Sequence, residues 1–276
     1  MDVVMSISGF DSSGSSGVQA DLLTFRQLGA YGACVVTTLA AQNTLGYQGL
    51  YPVTAEFVVH QMDTIMRDFD VKAVKVGLLY RRDIIEAVAE VIKHYNVPII
   101  LDPIIRTEGG ITILDEEEIE AYREHLIPIA DVVSMTVPSV SAFSGVLIFG
   151  QDDVEKAARA MFKHGARAVI VKGSDLDREN AIDSVFTMTE FCKLSAARVS
   201  TFHAFGSSCS YSAALAVGLA KGQSVIESAI EAKRYVTTAM QHQQKIGKGM
   251  PPLNHFIERE MWEQLPVEII RPELSE

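Results

Sequence analysis

The chain has 276 residues, of which 48% are hydrophobic and 21% charged, a balance suited to a globular protein with a large buried core. Its formal net charge of −11 argues against a nucleic-acid partner, which would call for basic patches. Three cysteines without metal-ligand spacing (Cys34, Cys192, Cys209) and the lack of a membrane-length apolar run argue against a disulfide scaffold, a zinc site and a membrane span, and lead to the expectation of a cytoplasmic small-molecule protein.

Residues 3–7 are an apolar run that stops at Ser8-Gly9, as a buried strand does; the acid at position 2 makes this a first strand and not a signal peptide. A loop of small residues follows, Asp11-Ser12-Ser13-Gly14-Ser15-Ser16-Gly17, and then helical periodicity over 18–28. Strand, small-residue loop and helix together resemble a ligand-binding βα turn, although the pattern is neither GxGxxG nor GxxxxGK[ST]. Asp21 is expected in the first turn of this helix, either complementing its dipole or hydrogen-bonding a polar substrate above the loop.

A β-branched run over 32–39 predicts a second strand, followed by Ala40-Ala41-Gln42-Asn43-Thr44, which either reads the donors and acceptors of a heterocycle or simply turns. Helices are expected over 56–69 and 84–95, and strands over 73–79 and 97–101, the last capped by Asp102-Pro103. This βαβα alternation predicts a parallel sheet covered by helices, with ligands at the C-terminal strand ends, where Gln42, Gly77 and Asp102 fall. Beyond a polar loop at 106–110, the pattern gives a helix over 115–125, a strand over 130–134, a helix over 154–164 and a strand over 168–171 leading to Lys172-Gly173. A polar turn over 175–180 precedes two strands, 184–189 and 193–196, expected as an antiparallel edge hairpin. A helix from 224 to about 244 and a loop over 247–252 complete the chain, with no repeat or linker, so residues 1–276 are expected to form one domain. His203 and His255 are expected to be structural.

The stretch around which the rest is organised is 202–219. Gly206, Ser207, Ser208, Cys209 and Ser210 lead into a buried, Ala/Leu-rich helix over 212–219. Small residues at the mouth of a helix let several backbone N–H groups converge on one anion, with the helix dipole adding positive potential. Cys209 would lie beside that anion, where such potential favours a thiolate. The same residues also suit an ordinary N-cap with a buried cysteine.

The segments SGFDSSGSSGVQADLLTFRQLGAYG, TTLAAQNTLGYQGLYPV, VKVGLL, LDP, VKG, FGSSCSYSAA and PLNHF cover the chain nearly end to end. In them the chain resembles the hydroxymethylpyrimidine and phosphomethylpyrimidine kinases of thiamine biosynthesis, within the ribokinase-like superfamily. The resemblance implies a three-layer α/β/α sandwich with a mostly parallel central sheet. It also implies ATP-dependent phosphorylation of a pyrimidine hydroxymethyl group and then of the monophosphate, ATP and Mg²⁺ at the site, and a homodimer. Carried onto this sequence, it makes Asp21 and Gln42 hydrogen-bond the aminopyrimidine, with Ser16, Ala40, Gly77 and Leu78 around it. Cys209 would be the base, Gly206, Ser207 and Ser208 would complete the anion hole with it, Lys172 and Gly173 would face the nucleotide, and Asp102 would hold Mg²⁺. The chain departs from the family's pattern on the phosphate side: Ser208 stands for a glycine, Thr136 for an asparagine, Ser139 for a glutamate and Glu108 for a lysine, and GGAG has become Gly14-Ser15-Ser16-Gly17. A pyrimidine sensor without catalysis, and a vitamin B6 kinase, are the alternative readings.

Overall fold

The computed structural model describes residues 1–106, 111–174, 177, 179–199 and 204–271. The elements run β1 (Val3–Asp11), α1 (Gly17–Gln27), β2 (Tyr31–Asn43), β3 (Gly46–Pro52), α2 (Ala55–Met66), β4 (Val71–Val76), α3 (Arg82–Ile92), β5 (Ile99–Leu101) and α4 (Glu116–Ala121), which continues as a π turn, Tyr122–Leu126. They continue with β6 (Val132–Thr136), α5 (Val137–Ser144), α6 (Gln151–Lys163), β7 (Ala168–Ser174), β8 (Asn180–Thr187), β9 (Phe191–Ala197), α7 (Ser207–Ala220), α8 (Val225–Gln241), α9 (Arg259–Glu263) and β10 (Glu268–Ile270).

All the strands join one sheet in the order β10-β9-β8-β7-β6-β5-β4-β1-β2-β3. The block from β7 to β2 is parallel, while β3 and the β8–β10 end pair antiparallel. Alternation along each strand feeds two apolar cores. Met5, Ile7, Val74, Val76 and Val133 pack against α2 to α6, whereas Val4, Ala73, Ile100, Val132 and Ile170 pack against α1, α7 and α8. Helix α7 is buried on every side from Cys209 to Gly218, so its small residues are what let α8 lie close over it. At the start of α8, Ser224 and Glu227 form a capping box that fixes where the chain turns back over α7.

Several elements differ from the sequence expectation, three of them for a clear physical reason. Strand β3 went unread because Gly46 and Gly49 dilute its alternating aromatic pattern. Helix α5 hides in a Ser- and Pro-rich stretch, yet Pro138 falls in its first turn, where a missing N–H costs nothing. The hairpin β8–β9 is not an edge, because β10 adds to β9 with Ile269 opposite Leu194. Glu108, His203 and the centre of the polar turn (residues 175, 176 and 178) lie outside the described residues.

Candidate active site

From β1 the chain moves outward to β2, then returns to β4 on the other flank of β1, so the sheet changes direction between β1 and β4. Ligands collect beyond the C-terminal strand ends at such a point. A cavity of about 260 Å³ opens there, the size of one small heterocycle. Its walls come from the end of β1 (Ser8 to Asp11), the β2–β3 hairpin (Ala40, Gln42, Tyr47, Leu50), Leu78, Asp102 and the head of α7 (Gly206 to Cys209).

Asp11, which the sequence reading passed over, organises the ring side. Its Oδ1 accepts from the Ser13 N–H and hydroxyl, both at 2.8 Å, and its Oδ2 from the Ser15 and Ser16 N–H groups at 3.2 and 2.9 Å. The Ser16 hydroxyl (2.9 Å) and the Gln42 amide (3.1 Å) donate to the same Oδ2. One carboxylate thus folds the serine loop and aims Gln42 at the cavity. An Asp followed two residues later by Ser is the readable sign of such a turn.

The serine loop meets the anion loop backbone to backbone. Gly206 caps α7 with φ of 83°, and a Cβ there would collide with the Ser15 carbonyl oxygen. Gly17, with φ of +60°, would similarly strike the Gly9 carbonyl. Both positions need glycine for conformation and for space. The hairpin tip is tied in as well: Thr44 accepts from the Gly249 N–H through its hydroxyl (3.2 Å) and from the Met250 N–H through its carbonyl (2.8 Å). Phe205, just before the anion loop, donates to Pro251 O and accepts from Leu253 N–H.

Asp21 needs correction. Helix α1 begins at Gly17, which places Asp21 in the second turn, pointing down onto the sheet with no exposed surface. Lys75 Nζ donates to its oxygens at 3.0 and 2.9 Å and the Ser6 hydroxyl at 2.5 Å, so it lies beneath the cavity and not on its wall. Burial, the largest single influence, would lower the Lys75 pKa, but the charge and hydrogen bond of Asp21, together with Cys209 and Asp102, hold the ammonium above the usual lysine range. Gly77 is likewise under the floor: a Cβ there would press on Ser8 and stand 2.8 Å from Lys75 Nζ, so the glycine makes room for that ammonium. Its neighbour Leu78 does line the cavity, as do Ser16, Ala40 and Gln42.

Cys209 reaches the cavity from the first turn of α7. Burial pushes its thiol up to about 11, with Lys75 pulling only partly the other way. The expected thiolate is therefore a thiol at neutral pH, because desolvation of the sulfur wins over the nearby charge.

Asp102, at the end of β5, faces a cluster of hydrogen-bond donors. Its Oδ1 accepts from Lys172 Nζ at 2.8 Å, its Oδ2 from the Ser212 hydroxyl at 2.8 Å, and the Ser208 hydroxyl lies 3.1 and 3.2 Å from the two oxygens. Lys172 stands behind the cavity wall and donates to Ser208 Oγ at 2.6 Å. Gly173 turns away, its N–H donating to Asp183 at 2.6 Å. Thr136 and Ser139, both on the wall, hydrogen-bond each other at 3.2 Å. Among the described residues no three His, Cys, Asp or Glu side chains converge. With both Asp102 oxygens already engaged by an ammonium and two hydroxyls, these residues do not fit a Mg²⁺ ion held by the protein, in contrast to the expectation for Asp102.

Comparison with known proteins fits this geometry. Residues 11–254 match the family described as Phosphomethylpyrimidine kinase. The chain is 38% identical over 257 residues to a hydroxymethylpyrimidine/phosphomethylpyrimidine kinase of Rhizobium meliloti, covering 92% of this chain and 97% of that one. To the enzyme of the same name from Bacillus subtilis it is 36% identical over 254 residues, 91% and 94% of the two chains. The solved pyridoxal kinase of Staphylococcus aureus, in complex with AMP-PCP and pyridoxal, superposes with a TM-score of 0.88 at 27% identity over 99% of both chains. The chain belongs to the phosphomethylpyrimidine kinase family.

Proposed function

We propose that the chain transfers the terminal phosphoryl group of ATP to the hydroxymethyl oxygen of 4-amino-5-hydroxymethyl-2-methylpyrimidine, and then to the resulting monophosphate, in thiamine biosynthesis. The observation that carries this reading is the two-ended cavity. One end offers small walls and the Gln42 amide, a surface for a flat polar ring; the other offers the α7 N-terminus with the Lys172 ammonium behind it, a surface for phosphate. Relatives at 38% and 36% identity carry the name of this activity, which supports the same assignment.

In this reading Gln42, Ser16, Ala40 and Leu78 hold the ring, and the backbone of Gly206 to Cys209 stabilises charge developing on the phosphoryl oxygens. A loose phosphoryl-transfer transition state leaves little covalent work to the protein, so positioning dominates. Cys209 then acts as a neutral thiol that orients the attacking hydroxyl, and no thiolate is required. Asp21 acts from below by holding Lys75, without touching substrate. The chain works as one domain and, on the family resemblance, as a homodimer, which sedimentation of the purified protein tests.

The test is to incubate the purified chain with hydroxymethylpyrimidine and Mg-ATP and follow ADP and the phosphorylated pyrimidines. Formation of mono- and then diphosphate supports the reading. Tight pyrimidine binding without product would leave a sensor, and no pyrimidine binding would overturn both. Pyridoxal belongs in the same assay because of the likeness to the Staphylococcus aureus pyridoxal kinase; a higher kcat/KM for pyridoxal would reassign the substrate.

A further inference from the structure

The cluster behind the anion loop turns on one hydroxyl, that of Ser208. Ser208 is the second residue of α7, lines the cavity, and carries the hydroxyl that touches both members of the Asp102–Lys172 pair. Asp102 is 1% exposed and Lys172 8%, so the pair is shielded from water and its geometry depends on its immediate partners. The carboxylate is held in place: the Asp102 main chain is anchored by its N–H donating to Val76 O at 2.8 Å, and Ser212, one turn along α7, donates to Oδ2. The ammonium has fewer restraints. It meets Asp102 Oδ1, the Ser208 hydroxyl and, at 5.8 Å, the face of Tyr211. Of its three N–H groups, one has no hydrogen-bond partner among the described residues.

We infer that Ser208 is a positioning residue for phosphoryl transfer: its hydroxyl bridges Asp102 and Lys172, draws the ammonium toward the mouth of α7, and leaves one N–H for an oxygen of the transferred phosphoryl group. Without that hydroxyl the ammonium settles on the carboxylate alone, and its charge is neutralised away from the point where negative charge develops. A charge placed to act in the transition state raises kcat, whereas ring binding at the other end of the cavity does not depend on it. The effect is therefore confined to turnover. This inference rests on the phosphoryl-transfer reading above and adds the residue that orients the cation.

The experiment is a double-substitution cycle on the full chain. Turnover by the unsubstituted protein is measured first; its absence overturns the phosphoryl-transfer reading and this inference with it. Given turnover, Ser208→Ala is expected to lower kcat about ten-fold, the scale of losing a hydrogen bond to a charged group. The Kd for hydroxymethylpyrimidine, measured calorimetrically, is expected to stay within about two-fold, since the Asp11 scaffold is untouched. In a Lys172→Met background the same Ser208→Ala change is expected to cost nothing further in kcat, because the residue through which it acts has gone. A Ser208→Ala enzyme with unchanged kcat, a parallel loss of pyrimidine affinity, or a full ten-fold loss in the Lys172→Met background each overturns the role for Ser208 while leaving the phosphoryl-transfer reading standing.

Discussion

Replacement of Lys75 by methionine tests the buried charge pair beneath the active site. Lys75 and Asp21 have no exposed side-chain surface and meet at 2.9 Å. Removing one partner leaves a carboxylate in an apolar setting, with only the Ser6 hydroxyl still bonded to it. Such a deletion costs about 3–5 kcal/mol. At about 2.1 cal/mol/K per residue, a chain of 276 residues unfolds with an entropy near 0.6 kcal/mol/K, so about 4 kcal/mol lowers Tm by about 7 °C. Pairing Lys75→Met with Asp21→Leu should recover most of this loss, because two apolar side chains replace the pair without an orphaned charge. The pH dependence gives an independent check. Burial is the largest influence on Asp21 and raises its pKa, and in Lys75→Met no cation opposes that rise. The folded state then binds a proton that the unfolded state has released, so stability falls as pH rises, and the deficit should shrink as pH is lowered from 7 toward 5. Thermal and urea unfolding across that range measure both effects. A Lys75→Met protein as stable as the parent at pH 7 would show that Asp21 is already protonated in the native state, and would refute the ion pair.

Three other substitutions or titrations test the site and its surroundings. Gly206→Ala should abolish pyrimidine binding and cost at least 1–2 kcal/mol of stability by rough estimate, since the new Cβ meets the Ser15 carbonyl at a φ of +83°; calorimetry and unfolding together check this, and a fully active variant would contradict the loop-to-loop contact. Alkylation of Cys209 by iodoacetamide should rise steeply only as pH approaches about 11, where the thiol titrates; a rate plateau near pH 8.5 would show a thiolate instead. His255, buried against the Tyr235 hydroxyl at 2.7 Å, is pushed by burial down to about 4. With the unfolded value near 6.5, the unfolded state takes up the proton first on acidification, so about 3 kcal/mol of stability is lost as pH falls from 6.5 to 4. His255→Phe should flatten that acid limb, as urea midpoints at several pH values would reveal.

The βα alternation and the small-residue loops are legible because each is a local pattern, period 2, period 3.6 or a run of glycine and serine, whereas the helix expected from 212 opens five residues earlier, at Ser207. Ser16, Ala40, Gln42 and Gly206 to Cys209 belong to such runs, and all of them line the cavity. What escaped depends on partners far along the chain. Asp21 reads locally as a first-turn acid that complements the helix dipole or bonds a substrate, and only Lys75, 54 residues later, shows that it is a buried counter-ion. Asp102 looked like a cation ligand until Lys172, 70 residues on, was found beside it. Asp11 could have been found locally, since its Asx turn onto Ser13 is written in the sequence; its hold on Gln42 could not.

The placement of α7 and α8 has a consequence for synthesis on the ribosome. Val4, Ala73, Ile100, Val132 and Ile170 belong to an apolar core on one sheet face that α1, α7 and α8 cover. The parallel block is translated by residue 174, yet α7 does not begin until Ser207 and α8 ends at Gln241. At about 5–20 residues per second, the nascent chain exposes that face for roughly 3–13 s before its cover is made. The tie to the β2–β3 hairpin tip comes later still, when Gly249 and Met250 are made and bond Thr44. Because Gly206 to Cys209 form part of the cavity wall, the ligand site is incomplete until translation has passed them.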